Sequence, residues 1–358
     1  MGKSAAALVA EGASVLSEGT PESSERAVAL FERALDTEPR FGPAYVGLAN
    51  AYLERAEEPR LGDRWLDEAV AAGEKAVELD PSSIDGCLAL SFAYRAKGHL
   101  RKELDLWQRR SQLGPDDTTA RIRAGWVLWF TGRPDEALPL LHAAAAQRPE
   151  DRWVHFFLGN ANLALGDYDE AERMYRKPLE LFPDHSSAHA GVIWSQLAAG
   201  KDAAARSRLR QFQASELDGD RYFVKVADCE YFLGEDESAL LHARRGVAAE
   251  PEERYWPRGF LASTILGAVL WPADRAEAEE HLERSERIDR RRLEGGDEGY
   301  MPHIDLAAVK AIRGEARTAC GSLRVAMAAG WRYGSLAARD RVFENLRDDR
   351  EFVALVVA

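Results

Sequence analysis

The chain is poor in cysteine. Its 358 residues contain three, Cys87, Cys229 and Cys320, and no two of them have the Cys-x-x-Cys spacing of a metal or redox pair. An odd number of widely separated cysteines disfavours a disulfide framework and a zinc knuckle. We therefore expect a reducing, cytoplasmic location.

Long apolar runs are also missing. No stretch of about 18 apolar residues occurs, so a membrane partner is not expected. The N-terminus, Met1-Gly2-Lys3-Ser4, has one basic residue and no apolar core behind it, and Ala6 stands where a myristoylation motif has Ser or Thr. The sequence therefore predicts no targeting segment and no lipid anchor.

Positive charge is in deficit. Lysine and arginine total 47 against 60 acidic residues, which gives a formal net charge of −13. Binding to a phosphate backbone requires cationic side chains that replace condensed counterions. A nucleic-acid partner is therefore not expected.

Catalytic and cofactor motifs are absent as well. The sequence contains no Walker loop, no Gly-x-Gly-x-x-Gly after a strand, no Gly-x-Ser-x-Gly and no His-Glu-x-x-His. The nearest metal-like element is His185 with His189, but zinc requires three or four ligands. We expect His189 and His155 to be packing residues at equivalent repeat positions and His185 to be an exposed turn residue. The prediction is a protein that is not an enzyme, with no cofactor and no metal.

What the sequence does contain is a 34-residue period. Glycine recurs at 98, 132, 166, 200 and 234, and proline falls on the same grid at 81, 115, 149, 183 and 251. Such a period is typical of stacked helix-turn-helix repeats, in which each helix pair buries its apolar face against the next.

The clearest unit runs from residue 152 to residue 185. Its landmarks are Leu158-Gly159 in a first helix, Gly166 in a turn, Ala171 and Tyr175 in a second helix, and Pro183 at the exit. A glycine can close the first helix in the left-handed conformation, Asp167 can cap the second, and a proline forces the preceding residue out of the helical region. This pattern resembles the tetratricopeptide repeat.

The resemblance implies the fold and its boundaries. It is an all-α, right-handed superhelical solenoid of about nine antiparallel helix pairs with a C-terminal capping helical segment. The solenoid is expected over residues 1–330, with regular repeats over 84–253, a longer loop near 57–63 and degenerate repeats over 254–330. Residues 331–358 are expected to be the cap, because an end repeat has no neighbour.

In tetratricopeptide proteins the first helices line a concave groove. The corresponding positions here are rich in aromatic side chains, which can anchor apolar groups of a peptide, and include asparagines, which can bond an extended backbone. The resulting partner-binding residues are Asn50, Phe92, Arg123, Trp126, Trp129, Trp153, Phe156, Asn160, Trp194, Lys225 and Tyr231. Ordinary packing is the alternative interpretation of these aromatic positions. Asn50 and Asn160 lie three units apart, so recognition of a terminal carboxylate is not predicted.

The functional prediction is a non-catalytic protein-interaction scaffold that binds a peptide or partner-protein segment in this groove, as a monomer. The segments at 24–49 and 329–352 also resemble the tetratricopeptide arms of bacterial signalling proteins associated with serine/threonine kinases or class III cyclases. The alternative is therefore a regulatory or sensor module that binds a small molecule or signal peptide and changes its superhelical shape.

Overall fold

The computed structural model describes residues 3–56, 62–114, 116–214, 222–249 and 259–357. Over these residues the secondary structure is helical, with twenty α-helices, one 3-10 helix and no strand. The helices are α1 (Ala5–Leu16), α2 (Pro21–Thr37), α3 (Gly42–Arg55), α4 (Gly62–Leu79), α5 (Ile84–Ala96), α6 (Leu100–Leu113), α7 (Thr118–Phe130), α8 (Pro134–Gln147), α9 (Arg152–Leu165), α10 (Tyr168–Leu181), α11 (Ser186–Ala198), α12 (Asp202–Ala214), α13 (Tyr222–Leu233), α14 (Asp236–Ala249), α15 (Ala262–Leu270), α16 (Arg275–Glu294), α17 (Met301–Ile312), α18 (Ala316–Ala328), α19 (Gly334–Ala337), the 3-10 helix (Arg341–Leu346) and α20 (Arg350–Val357).

Helices α1 to α18 form nine consecutive packed pairs, which confirms the predicted all-α repeat fold. The tightest approaches occur where glycine faces a large side chain. A Cβ atom at Gly125 on α7 would lie 2.7 Å from Leu141 on α8, and one at Gly159 on α9 would lie 2.7 Å from the Tyr175 ring on α10. Close contact between paired helices therefore depends on these small residues.

The turns within the pairs have the predicted conformation. The five glycines on the 34-residue grid, at 98, 132, 166, 200 and 234, all have positive φ between 71° and 84°. Asp167 caps α10, its carboxylate accepting a bond of 3.2 Å from the backbone nitrogen of Glu170. Helices α8 and α10 end two residues before Pro149 and Pro183, as expected. Pro115, Pro251 and residues 57–61 of the loop predicted at 57–63 lie outside the described residues. Gly62 and Asp63, the last two residues of that prediction, belong to α4 instead of the loop.

The chain divides into two compact units. Unit 1 comprises residues 1–120 and 295–298, and unit 2 comprises residues 121–294 and 299–358. In the core of unit 1, Phe31 fits between Gly12 and Gly47, where added Cβ atoms would lie 2.6 Å and 2.4 Å from its ring. In unit 2, Tyr175 contacts both Gly159 and Gly191 in the same way. The sequence-based domain boundaries at 330 and 331 remain a prediction.

The close-contact position on the second helices is filled as the repeat pattern predicts. The alanines at 137, 171, 205 and 239 are fully buried. Glu103 takes this position in α6 and is also fully buried. Its carboxylate accepts a 2.5 Å bond from the Ser91 hydroxyl and pairs with Arg95, so the buried charge is compensated.

Candidate functional site

A C-terminal segment of unit 2, residues 330–341 and here called the strap, lies along the inter-helix turns of four successive repeats. It follows α18 and includes the short helix α19. Its contacts fall at the turns after α7, α9, α11 and α13, in that order along the chain. The predicted cap over 331–358 therefore contains a stretch with specific polar contacts that the repeat pattern did not predict.

The first half of the strap contacts the turns through Gly330, Arg332 and Ser335. Gly330 approaches the α7–α8 turn so closely that an added Cβ atom would lie 2.6 Å from the backbone nitrogen of Gly132. Arg332 donates a bond of 3.1 Å to the Gly132 carbonyl oxygen. One repeat later, the Ser335 hydroxyl lies 2.8 Å from the hydroxyl of Tyr168, the first residue of α10.

The second half of the strap is held through two arginines. Arg339 bonds both carboxylate oxygens of Asp202 at 2.7 and 2.8 Å and also donates to the carbonyl of Leu197. Arg341 pairs with Asp236 and donates a 2.9 Å bond to the carbonyl of Tyr231. Tyr168, Asp202 and Asp236 are 34 residues apart, so successive second helices contact the strap through their first residues.

The predicted partner-binding residues differ in accessibility. In unit 2, the side chains of Trp129, Phe156, Asn160, Trp194, Lys225 and Tyr231 are buried. Trp126 and Arg123 are half-buried, and Trp153 is 41% exposed. In unit 1, Asn50 is half-buried and Phe92 is 39% exposed beside Arg95, whose guanidinium lies 5.6 Å from its ring.

Two members of the set, Trp126 and Trp129 on α7, contact other aromatic side chains of unit 2. Trp126 stacks on Phe130 at 5.0 Å, and Phe130 stacks on Tyr300 at 4.9 Å. Tyr333 of the strap is hydrogen-bonded to Trp129, and burial raises the pKa of the Tyr333 hydroxyl well above its usual range. The end of α7 that lies nearest the α7–α8 turn therefore contributes aromatic side chains to the core of unit 2.

Trp153 belongs to an aromatic cluster at the start of α9. Its ring lies 6.0 Å from Phe156 and 5.1 Å from the imidazole of His185, and the Arg152 guanidinium lies 5.4 Å from it. Asp151 caps this helix by accepting from the backbone nitrogens of Trp153 and Val154. The cap sets the position of Trp153 at the edge of the first-helix face.

The prediction that His185 is exposed is wrong. The imidazole is 8% exposed because it packs under Trp153 and Phe156, and its Nδ1 accepts from the backbone nitrogen of Ala188 to cap α11. Burial, with a smaller contribution from the nearby charges of Arg152 and Lys225, lowers the pKa of His185 to about 4. The residue is therefore neutral near pH 7. Its neighbours come from the preceding repeat, which local sequence did not reveal.

Asn160 and Lys225, two other predicted partner-binding residues, form side-chain hydrogen bonds within unit 2. The Asn160 side-chain oxygen accepts a 2.6 Å bond from the Tyr175 hydroxyl, whereas its Nδ2 is buried without a hydrogen-bond partner among the described residues. The Lys225 ammonium donates a 2.8 Å bond to Ser186. Asn160 therefore has one buried donor that no group of the described residues satisfies.

The packing role predicted for His155 and His189 is confirmed. Both imidazoles are buried, and each Nε2 lies 2.7 Å from a proline carbonyl, that of Pro149 or Pro183, six residues earlier. Burial lowers the pKa of both histidines. Each histidine thus fixes the entry of a first helix onto the preceding turn.

The described residues were also searched for a metal site and for a membrane-spanning helix. Within them, no cluster of three or more His, Cys, Asp or Glu side chains could hold a metal ion. No helix of those ranges is long and apolar enough to cross a membrane. The three cysteines are buried and form no disulfide within the described residues.

Comparison with known proteins points to one repeat family. Residues 128–192 match the family model described as tetratricopeptide repeat. A 138-residue stretch, 38% of this chain, is 26% identical to anaphase-promoting complex subunit 3 of Schizosaccharomyces pombe. The match covers 20% of that protein, so the chain spans about a fifth of the curated relative's length.

Two solved structures share the fold. A tetratricopeptide repeat protein from Parabacteroides merdae has a TM-score of 0.55 and 18% identity, over 69% of this chain and 93% of its own. Human IFIT1, as a dimer with m7Gppp-AAAA, has a TM-score of 0.56 and 15% identity, over 91% of this chain and 72% of its own. At these identities the likeness shows a shared architecture. Together with the match over 128–192, it shows that this chain shares the fold of tetratricopeptide repeat proteins and contains a stretch similar to the repeat itself.

Proposed function

We propose that this chain is a non-catalytic protein-interaction scaffold that binds a peptide or protein segment on the first-helix face of unit 2. The observation that carries the proposal is Trp153, a large apolar side chain left 41% exposed beside Phe156. Tryptophan and arginine are the residues most enriched at the energetic centres of protein interfaces. Trp153 and Arg152 present both groups at one point.

The chemistry of this face suits an extended segment with an apolar side chain. The Trp153 and Trp126 rings offer apolar surface. Asn160 remains a proposed contact, whose buried Nδ2 a backbone carbonyl of the segment would reach once the surrounding side chains move. Arg123 adds a half-buried cation. The remaining predicted residues of unit 2 are buried and pack beneath this face; they are Trp129, Phe156, Trp194, Lys225 and Tyr231. Asn50 and Phe92 remain proposed contacts within unit 1.

The experiment selects peptides from a displayed library on the wild-type chain and measures their affinity by fluorescence anisotropy. Trp153→Ala should weaken binding at least tenfold, because a central aromatic anchor contributes about 2 kcal/mol or more. Leu241→Ala, which removes a 57% exposed apolar side chain from the second helix α14, is the matched control and should leave affinity unchanged. Equal losses in both variants would contradict the proposal.

We propose a protein partner in preference to nucleic acid. The solved human relative contains a capped oligonucleotide, but the net charge of −13 in the present chain opposes a phosphate backbone. We also propose a monomer in a reducing cytoplasm; the reducing location is supported by three buried cysteines that form no disulfide within the described residues.

A second candidate function is a regulatory module that takes a small molecule or signal peptide. Two buried nitrogen atoms favour it, since neither the Asn160 Nδ2 nor the His185 Nε2 has a hydrogen-bond partner within the described part of the chain. A ligand with acceptor groups would satisfy them. Small-angle scattering with and without a bound ligand tests this candidate, because it requires a change of dimensions and a static scaffold does not.

A further inference from the structure

Two consecutive turns of unit 2 present the same pair of acceptors. In the turn at 197–202 these are the Leu197 carbonyl and the Asp202 carboxylate, and in the turn at 231–236 they are the Tyr231 carbonyl and the Asp236 carboxylate. The two pairs are 34 residues apart. Carbonyls in the last turn of a helix carry partial negative charge, and the carboxylate adds a full one. We call these two turns the acceptor edge.

Arginine fits each acceptor pair. Its planar guanidinium bonds a carboxylate through two nitrogens and retains donors for a third acceptor. Arg341 uses the fork in this way on Asp236 and also donates to the Tyr231 carbonyl. Arg339 contacts both Asp202 oxygens through one terminal nitrogen and the Leu197 carbonyl through the other.

Aromatic rings complete both positions. The Arg339 guanidinium lies 5.7 Å from the Phe232 ring centre, and the Arg341 guanidinium lies 4.6 Å from that of Tyr231. The backbone of Asp340 between the two arginines is extended, with φ of −68° and ψ of 136°. A spacing of two residues in the strap thus matches a spacing of one repeat in the acceptor edge.

We propose that the acceptor edge is a recognition site for a protein segment bearing two arginines two residues apart, and that the strap is its resident occupant. The ion pairs are open to solvent, with the Arg339 and Asp202 side chains 37% and 49% exposed, so an external segment can reach these acceptors. Leu336, Ala337 and Asp340 of the strap are each 2% exposed, and an external segment must displace them to replace the strap. An acidic chain of net charge −13 complements a basic segment. This surface differs from the first-helix face around Trp153 and does not depend on the function proposed for that face.

The test uses a fluorescent synthetic peptide with the sequence of residues 329–342. It is titrated by anisotropy into the wild-type chain and into the Arg339→Ala/Arg341→Ala variant. We expect at least tenfold tighter binding to the variant, because its own strap no longer competes. A peptide with both arginines replaced by alanine should bind that variant at least tenfold more weakly. Equal affinity for the two chains, or for the two peptides, would overturn the proposal, as would failure to bind the variant.

Controls separate recognition from loss of structure. Arg324→Ala removes an exposed arginine that pairs with Glu351, away from the acceptor edge, and should bind the peptide as the wild type does. Adding Asp202→Asn and Asp236→Asn to the double variant should abolish tight binding. Hydrogen exchange of the wild-type chain with excess peptide needs no substitution: amides of 330–341 should exchange faster, and unchanged exchange would overturn the proposal.

Discussion

At the scale of single residues, His185 links packing to pH. The unfolded chain protonates this imidazole near pH 6.5, whereas the folded chain protonates it only near pH 4, because burial disfavours the charged form. The stability that depends on this difference is therefore complete above about pH 6.5 and is lost as the pH falls toward 4, at up to about 1.4 kcal/mol per pH unit.

The variant His185→Asn keeps a side-chain oxygen that can cap α11 but removes the titrating ring. We expect its unfolding free energy, from urea titrations between pH 7 and pH 4.5, to depend less steeply on pH than that of the wild type. His155 and His189 remain and keep part of the slope. His142→Asn, at an exposed site on α8, serves as the control. An unchanged slope in His185→Asn would contradict the assignment.

A second residue-scale prediction concerns the glycine that faces Tyr175. A Cβ atom at Gly191 would lie 2.5 Å from the Tyr175 ring, which is buried and hydrogen-bonded to Asn160, so the ring has little freedom to move. Gly191→Ala should lower the unfolding free energy by about 1–3 kcal/mol through overpacking. Gly321→Ala, also within a helix but with nothing within 4 Å of the new carbon, should be neutral or stabilising by about 0.5–1 kcal/mol. Thermal unfolding of both variants measures the contrast.

At the scale of helices, local signals predicted the ends of elements well. The grid glycines adopt positive φ, and the prolines follow helix ends, because both effects depend on one or two neighbouring residues. The strap could not be predicted in this way. Arg339 meets Asp202 across 137 residues, and Arg341 meets Asp236 across 105. The sequence signal for these contacts was the acidic residue at the start of successive second helices. Acidic residues are common at helix N-termini, where they interact favourably with the helix dipole, so this signal alone does not indicate a bound arginine.

The cap of α9 gives the prediction at this scale. Asp151 accepts from two backbone nitrogens and so fixes the first turn, which carries Trp153. Asp151→Ala should cost about 1 kcal/mol of stability, whereas Asp151→Asn should retain most of it, because asparagine caps almost as well. Chemical denaturation measures both values, and the peptide affinity of the two variants reports on the position of Trp153. Similar losses for alanine and asparagine would rule out the capping role.

At the scale of the whole molecule, the 34-residue period repeats contacts as well as helices. His155 and His189 bond equivalent proline carbonyls, and the equivalent residues Asp202 and Asp236 each bond an arginine of the strap. The period therefore predicted which positions are alike, and the aromatic first-helix positions followed from it. It did not predict which of them would be buried: Trp129 is buried and hydrogen-bonded to Tyr333, a residue outside the period.

The three buried thiols provide a readout of opening in each unit. Cys87 lies in unit 1, and Cys229 and Cys320 lie in unit 2. Burial raises the pKa of Cys87, and burial together with Asp349 raises that of Cys320 to about 11, so little reactive thiolate is present at pH 7. Variants that retain one cysteine each should react with a thiol reagent at least about a hundredfold more slowly when folded than in denaturant, which corresponds to about 3 kcal/mol of opening free energy. Ser207→Cys in a cysteine-free background, on the exposed side of α12, should react at the denatured rate while folded. A buried cysteine must become exposed by local opening before the reagent can label it. If any of the three were labelled in the folded protein at a rate close to that of Ser207→Cys, the packing described around that cysteine would be wrong.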